Sequence, residues 1–238
     1  MPEGVDLPSS AAILPVMTRS SSTPVVRRPR QDRSRAAWQR ILDAGLELLK
    51  EGGYEGFTIA AICERAGVTP PTIYARVRTK DALFLAVFNH GYTELATETE
   101  ATRARLSGDG AEAIIRAAVG AMVVTTLAHA RFLRPVILRA EADLEIGRLT
   151  QQARSATAAW FRGVVQAHSM SAPGCSSDRI DACFRTIFMT LIARIVIPSS
   201  TDLGRPFSDE AFIADLQTTA CRLILTDVAP PLCSSNAG

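Results

Sequence analysis

Apolar residues recur along most of the chain at the three- and four-residue spacing of amphipathic helices, and they do not alternate for long as they would in strands. The first stripe begins near Arg33 and ends near Glu51, where Gly52 and Gly53 stop the helix. The pattern therefore predicts an all-α fold. Two short helices are expected to follow within residues 58–83, and longer ones over the segments 79–106, 111–128, 130–143, 145–169, 178–197 and 208–226.

Two short helices joined by a tight turn are predicted within residues 58–83. Thr58 is a good N-cap, and Gly67 supplies the left-handed conformation that often ends a helix. Thr69 begins the next helix, which opens with two prolines that need no intrahelical donor in the first turn. Because those prolines lack amide hydrogens, Thr69 is expected to cap the amide of Thr72. The arrangement is that of a helix-turn-helix, which reads DNA in many proteins.

The distribution of charge adds to this interpretation, although the net charge of the chain is only +2. Residues 27–80 contain 11 basic and 6 acidic side chains, whereas residues 81–238 contain 14 basic and 16 acidic ones. The basic surplus accompanies the helix-turn-helix, as phosphate binding requires.

The segment around the turn resembles the N-terminal domain of TetR/AcrR-type transcriptional regulators, over about fifty residues. Three positions depart from the family pattern, since Arg76 and Val77 stand where His and Phe are usual and Ala61 where an acidic residue is common. The two prolines that open the recognition helix are also unusual. The residues that carry the resemblance are Gly52-Gly53-Tyr54, Phe57-Thr58, Ile62, Ala66-Gly67-Val68, Thr72-Ile73-Tyr74 and Thr79-Lys80-Asp81-Ala82-Leu83.

The resemblance implies a homodimer in the cytoplasm that binds a double-stranded DNA operator and responds to a small-molecule effector, most often as a repressor. It implies a three-helix DNA-binding domain over residues 31–78 and a larger helical domain over residues 79–228 that holds a ligand pocket and a dimer face. The Pro- and Ser-rich residues 1–30 are expected to be a disordered extension, and residues 229–238 a flexible tail. No cofactor is implied.

The DNA contacts that the resemblance implies lie on the recognition helix, at the starts of two neighbouring helices and in a basic arm before the first helix. Simpler alternatives stay open for several of them: caps alone for the threonines, a core position for Tyr74 and a solvated tail for the basic run. The implied contact residues are Arg28, Arg30, Arg33, Thr58, Thr69, Pro70, Pro71, Thr72, Tyr74, Arg76 and Lys80.

Two further sets of residues are assigned on the resemblance, with packing in the core of one chain as the alternative for each. An apolar effector is expected to touch Phe88, Tyr92, Met122, Thr126, His129, Phe132 and Trp160. The last two helices are expected to pair with those of a second subunit through Phe184, Phe188, Leu191, Ile192, Phe212, Leu216 and Leu223.

The remaining composition argues against other classes of protein. Five cysteines without metal-binding spacing favour reduced thiols, and no apolar run approaches the roughly 20 residues of a membrane helix. The histidines His90, His129 and His168 do not form a metal-binding motif, so a metal site or a helical enzyme is disfavoured. An architectural DNA-binding protein without an effector stays open.

Overall fold

The computed structural model describes residues 29–169, 175–197 and 207–226. Most of the predicted N-terminal extension, with Arg28, and the predicted tail 229–238 lie outside these residues. The described part of the chain is helical and contains no strand. Its helices are α1 (Pro29–Gly56), α2 (Ile59–Ala66), α3 (Pro70–Tyr74), α4 (Lys80–Ala104), α5 (Ala111–Ala128), α6 (Ala130–Ala140), α7 (Leu144–Ser169), α8 (Ser177–Val196) and α9 (Asp209–Leu225).

The first helix differs from the prediction at both ends. It begins at Pro29 instead of near Arg33, because a proline fits the first turn of a helix. The end of the predicted extension, with Arg30, is thus helical. Helical hydrogen bonding continues to Gly56, but Gly53 interrupts it with a φ of 60° and a ψ of −156°. Only glycine adopts such a conformation readily, so the predicted stop is a change of direction.

Side-chain and glycine caps set the boundaries of α2 and α4, as expected. The Thr58 hydroxyl accepts a hydrogen bond from the Ala61 amide at 3.1 Å, and the Thr79 hydroxyl accepts one from the Ala82 amide at 3.1 Å. Gly67 closes α2 in the left-handed conformation, with a φ of 62°. These contacts span three or four residues, so they follow from local sequence.

Two clusters of buried apolar side chains hold the helices together. The first joins α1, α2 and α3 to the first half of α4 and to residues of α6 and α7, including Phe132 and Ile146. The second joins α5, α7, α8 and α9 around residues such as Phe161 and Ile187. The predicted domain boundary at residue 78 therefore lies inside the first cluster, and the first three helices share their core with the larger helical part.

One described helix, α5, is long and apolar enough to cross a membrane by length and composition alone, with a mean hydropathy of 1.6. The core helix of a soluble protein has the same character. Seven α5 residues, among them Ile115, Val119 and Val123, are buried against neighbouring helices. Packing within the second cluster thus accounts for much of its apolar surface.

Candidate nucleic-acid interface and ligand cavity

The α3 helix lies at the surface and is anchored by a single side chain. Ile73 is fully buried in the first cluster, whereas Thr69, Pro70 and Pro71 are exposed. Tyr74, for which a core position was the alternative, is 49% exposed. The tip and one side of α3 are therefore free to meet another molecule.

The predicted cap of α3 is wrong in detail. The Thr69 side chain caps no amide, and the Thr72 amide instead donates to the Thr69 carbonyl oxygen at 2.9 Å. The two hydroxyl oxygens lie 3.3 Å apart and share a hydrogen bond. Because each hydroxyl can rotate its proton toward a new acceptor, this pair can bind a base edge or a phosphate oxygen at little cost.

The cations near α3 fall into two groups: free cations, whose side chains have no partner among the described residues, and tied cations, whose side chains are held by contacts within the chain. Arg33, Arg35 and Arg78 are exposed, and within the described residues none of them has an ion pair or a hydrogen bond through its side chain. Arg35 and Arg78 were not predicted as contacts, although their position beside the predicted ones was a signal. Arg76 is tied to α1, because its guanidinium donates to the Ser34 hydroxyl at 2.9 Å.

Lys80 is also held by the protein. Its ammonium lies 4.1 Å from the centre of the Tyr54 ring and 3.3 Å from the Tyr54 carbonyl oxygen. An ammonium held in this way has less freedom to reach a phosphate than a free arginine. Its evident contribution is to fasten the start of α4 to the end of α1.

The same tyrosine joins these helices to α6. The Tyr54 hydroxyl donates to the Asp81 carboxylate at 2.6 Å, and Arg139 donates to the same oxygen at 2.9 Å. The Arg139 guanidinium also lies 4.3 Å from the centre of the Tyr54 ring. Burial raises the pKa of Tyr54, and the hydrogen bond to Asp81 adds to the effect, so the phenol keeps its proton. We call these four residues, Tyr54, Lys80, Asp81 and Arg139, the Tyr54 joint.

A cavity of about 680 Å³ lies between α4, α5, α6, α7 and α8. This volume suits a drug-sized molecule. Apolar side chains line most of its wall, and α7 contributes a continuous run, residues 150–157. The apolar lining residues on the other helices are Phe88, Tyr92, Leu95, Ala96, Met122, Leu133, Val136, Ile137, Phe188 and Ile192.

The predicted pocket residues divide between this cavity and other places. Phe88, Tyr92, Met122 and Thr126 line it. The other three do not. Phe132 is buried in the first cluster, and His129 lies at the junction of α5 and α6, where its ring contacts Glu98 at 2.6 Å. Trp160 lies behind the wall, with its ring 4.4 Å from the Arg103 guanidinium.

Most residues predicted to lie in the dimer interface are instead covered by their own chain. Phe184, Leu191, Phe212 and Leu216 are at most 6% exposed, because helices of the same chain cover them. They are core residues and have almost no surface left for a partner. Phe188 and Ile192 line the cavity instead. Of the predicted set, Leu223 is exposed, at 39%.

The outward side of α8 carries different residues. Met189 is 59% exposed, and Ala182, Arg185 and Thr186 lie one and two turns before it on the same side. On α9 the exposed residues near Leu223 include Thr219. The apolar stripe of each helix marks its inward face, so an interface would use the opposite face.

The described residues show no obvious metal centre. In segments 29–169, 175–197 and 207–226, no three His, Cys, Asp or Glu side chains come together as a metal site would require. Cys63, Cys175, Cys183 and Cys221 are free thiols. Burial raises the pKa of Cys183 to about 12, so this thiol is protonated and unreactive near neutral pH.

The part of the chain that forms α2 and α3 is also similar in sequence to known proteins. Residues 41–87 match the bacterial regulatory proteins of the tetR family. This segment of the chain is similar to the DNA-binding part of tetR-family regulatory proteins. Tetracycline repressor proteins of class D from Escherichia coli and class H from Photobacterium damsela subsp. piscicida are each 39% identical to it over 49 residues. The match covers 21% of this chain and 22% of each relative, so the chain spans about a fifth of their length in this comparison.

Solved structures extend the likeness to the whole TetR fold. A tetR-family regulatory protein from Rhodococcus RHA1 superposes with a TM-score of 0.61 at 19% identity, covering 79% of this chain and 96% of that one. A transcriptional regulator from Rhodococcus sp. Rha1 superposes with a TM-score of 0.60 at 16% identity, over 81% and 98% of the two chains. At such identities the comparison establishes the fold alone, which agrees with the predicted all-α architecture.

Proposed function

We propose that this chain is a cytoplasmic transcriptional regulator of the TetR type that binds a palindromic operator as a homodimer and is released when a small, largely apolar effector enters its cavity. Repression is the proposed outcome of operator binding. The observation that carries the proposal is that one helix, α4, begins at the Tyr54 joint beside the helix-turn-helix and lines the cavity from Phe88 to Arg103.

The exposed tip of α3 supports DNA reading. Its two prolines present apolar surface suited to a thymine methyl group, while Thr69 and Thr72 offer hydroxyls that can donate or accept. Tyr74 and the N-terminus of α2 at Thr58 are proposed to hold phosphates. The free cations Arg33, Arg35 and Arg78 are proposed to add backbone contacts, and the tied cations Arg76 and Lys80 to position the helices.

Prolines reduce the number of base hydrogen bonds that α3 can make. Neither Pro70 nor Pro71 has an amide hydrogen or a polar side chain, so two positions at the reading tip recognise shape and methyl groups. The basic segment before α1 and at its start, with Arg28 and Arg30, is proposed to supplement this reading from the minor groove.

A homodimer follows from the geometry of operator binding. Two recognition helices must reach half-sites about 34–36 Å apart, one turn of DNA. The proposed interface is the outward face of α8, centred on Met189, together with the exposed part of α9 that includes Leu223. Loss of DNA affinity would then arise when the effector favours a conformer in which α4 has moved and the two α3 helices are wrongly spaced.

The test is operator selection from random duplexes with the full chain, followed by footprinting of the selected sequence. A discrete palindromic footprint is the expected result. A double substitution, Thr72→Ala with Tyr74→Ala, should abolish the footprint. The matched control, Thr218→Ala on α9, changes a threonine far from α3 in sequence and should leave it intact.

Uniform protection without a preferred site would instead support an architectural DNA-binding protein. That outcome would refute the proposed regulator, as would an absence of any DNA binding. Effector release is tested separately, by the melting temperature of the chain with candidate ligands and by their effect on the footprint.

A further inference from the structure

The side chain of an arginine, Arg103, forms part of the cavity wall. Arg103 lies in the last turn of α4, and its side chain lines the cavity together with apolar residues such as Met122. It is half-buried, and its Nε atom is fully buried and has no hydrogen-bond partner. A buried polar group without a partner is destabilising unless another group later satisfies it.

No acidic side chain neutralises this arginine at close range. Within the described residues Arg103 forms neither an ion pair nor a hydrogen bond through its side chain; its specific contact is the Trp160 ring at 4.4 Å. Glu100, one turn earlier, also lines the cavity, but it is exposed to solvent and acts on Arg103 only at longer range. Loss of hydration on burial lowers the pKa of Arg103, yet a guanidinium remains charged in proteins.

Most threonine hydroxyls of the lining are less suited to bind an anion. Four lining threonine hydroxyls donate their protons to carbonyl oxygens of their own helices, at 2.6–3.0 Å. They therefore have only acceptor capacity left for a ligand. Those four residues are Thr99, Thr126, Thr150 and Thr157.

Tyr92 supplies a second free donor on the same helix. It lines the cavity, and its hydroxyl has no hydrogen bond within the described residues. Burial raises the pKa of Tyr92, so the phenol stays protonated and can donate. From Phe88 to Arg103 the lining residues of α4 span about 22 Å of helix axis, with Arg103 in the last turn of the helix.

We propose that the effector of this cavity is an elongated amphipathic carboxylate, whose charged head pairs with Arg103 and whose apolar tail runs along α4 toward Phe88. The inference rests on the proposed function in treating the cavity as the effector site. Arginine suits this role because its planar fork can donate two parallel hydrogen bonds to one carboxylate. Partial burial strengthens such a pair, since most of the surrounding wall is apolar.

Three probes with one tail and different heads test the proposal: decanoate, decanol and decylammonium. Calorimetric titration of the full chain should give tighter binding of decanoate than of decanol by about ten- to a hundredfold, the value of hydrogen bonds to a charged group. Decylammonium should bind most weakly. The variant Arg103→Met should lose the preference for decanoate while still binding decanol.

Arg154→Met is the matched control, because Arg154 also lines the cavity but is exposed to solvent. It should keep the preference for decanoate within about twofold, since an exposed ion pair contributes little. Equal binding of decanoate and decanol by the unchanged chain, no binding of decanoate, or loss of the preference in Arg154→Met instead of Arg103→Met would each overturn the proposal.

Arg103→Lys keeps the experiment decisive should Arg103→Met not fold. A shorter ammonium without the planar fork should weaken decanoate and leave decanol unchanged, whereas equal weakening of both would overturn the proposal. The titrations contain no DNA. If the chain binds decanoate through Arg103 but protects no operator, the proposed regulator is refuted and this inference stands. If it protects an operator but shows no preference for decanoate through Arg103, this inference is refuted and the proposed regulator stands.

Discussion

The Tyr54 hydroxyl donates a hydrogen bond of 2.6 Å to the Asp81 carboxylate, and so connects the end of α1 to the first turn of α4 across 27 residues of sequence. Arg139 of α6 donates to the same carboxylate oxygen at 2.9 Å. A displacement of α4 by an effector must therefore either carry α1 and α6 with it or break these bonds.

Tyr54→Phe should lower the free energy of unfolding by about 1 kcal/mol, because it removes a hydrogen bond to a charged group that is partly exposed. The ring stays in place for Lys80 and Arg139, so the change isolates the hydroxyl. Denaturant unfolding measures the difference. Tyr74→Phe is the control, because it removes an exposed hydroxyl that has no hydrogen bond in the described residues, and it should leave the free energy of unfolding unchanged. Equal stabilities of the unchanged chain, Tyr54→Phe and Tyr74→Phe would show that the Tyr54 hydrogen bond contributes little.

Arg78→Ala should weaken DNA binding and lower the slope of log affinity against log salt concentration by about 0.9, the value of one phosphate contact. Arg78 is exposed and free of partners in the described part of the chain, so its charge is available to DNA. Binding titrations at several salt concentrations give the slope.

Arg65→Ala is the control for that measurement. Arg65 is also exposed, but its guanidinium lies 2.8 Å from the Glu51 carboxylate and 3.8 Å from that of Glu47. An arginine whose charge is already balanced should leave the slope unchanged. A slope that falls for Arg65→Ala and not for Arg78→Ala would place the phosphate contact on α2 instead.

Met189→Glu should convert a dimer into a monomer, because it buries a charge without a partner in the proposed interface. Met189 is 59% exposed within one chain, so the substitution leaves the fold intact. Size-exclusion chromatography with light scattering measures the mass. Leu138→Glu places the same charge on α6, at a residue 51% exposed, and should keep the dimer; a dimer that survives Met189→Glu would reject this face.

The free energy of unfolding should fall at alkaline pH because of the Cys183 thiol. Burial raises its pKa from about 9 to about 12, so the unfolded chain loses this proton first as pH rises. The contribution of the thiol is fully present below pH 9 and is lost as pH rises toward 12, at roughly 1 kcal/mol per pH unit.

Cys183→Ala should therefore cost about 1 kcal/mol near neutral pH, and that cost should shrink and reverse above pH 9. Ile187→Val, one turn later on α8 and also buried, removes a methylene that does not titrate. Its cost, about 1 kcal/mol, should be the same at every pH. Unfolding curves from pH 7 to 11 compare the two, and parallel behaviour would contradict a perturbed thiol.

Local sequence determined the helices and their ends, because the deciding contacts span only three or four residues. The hydroxyls of Thr58 and Thr79 meet amides three positions ahead, and Gly67 needs only its own backbone freedom. The start of α1 was missed, since Pro29 is compatible with both a basic arm and a first turn. The resemblance to tetR-family regulatory proteins was also recognisable from the residues around the turn, where the spacing is most constrained.

Only the tertiary structure decided which face of each helix packs in the core, lines the cavity or lies at the surface. The stripe on α8 shows that Phe184 and Phe188 share an apolar side, but periodicity does not distinguish cover by the same chain from cover by a partner. Packing buries the first within its own core and turns the second to the cavity. Arg103 is only one cation among 26 Lys and Arg residues in the sequence. Its unpaired position in an apolar wall arises from helices far apart in the chain, because burial and pairing are properties of packed surfaces and not of sequence neighbours.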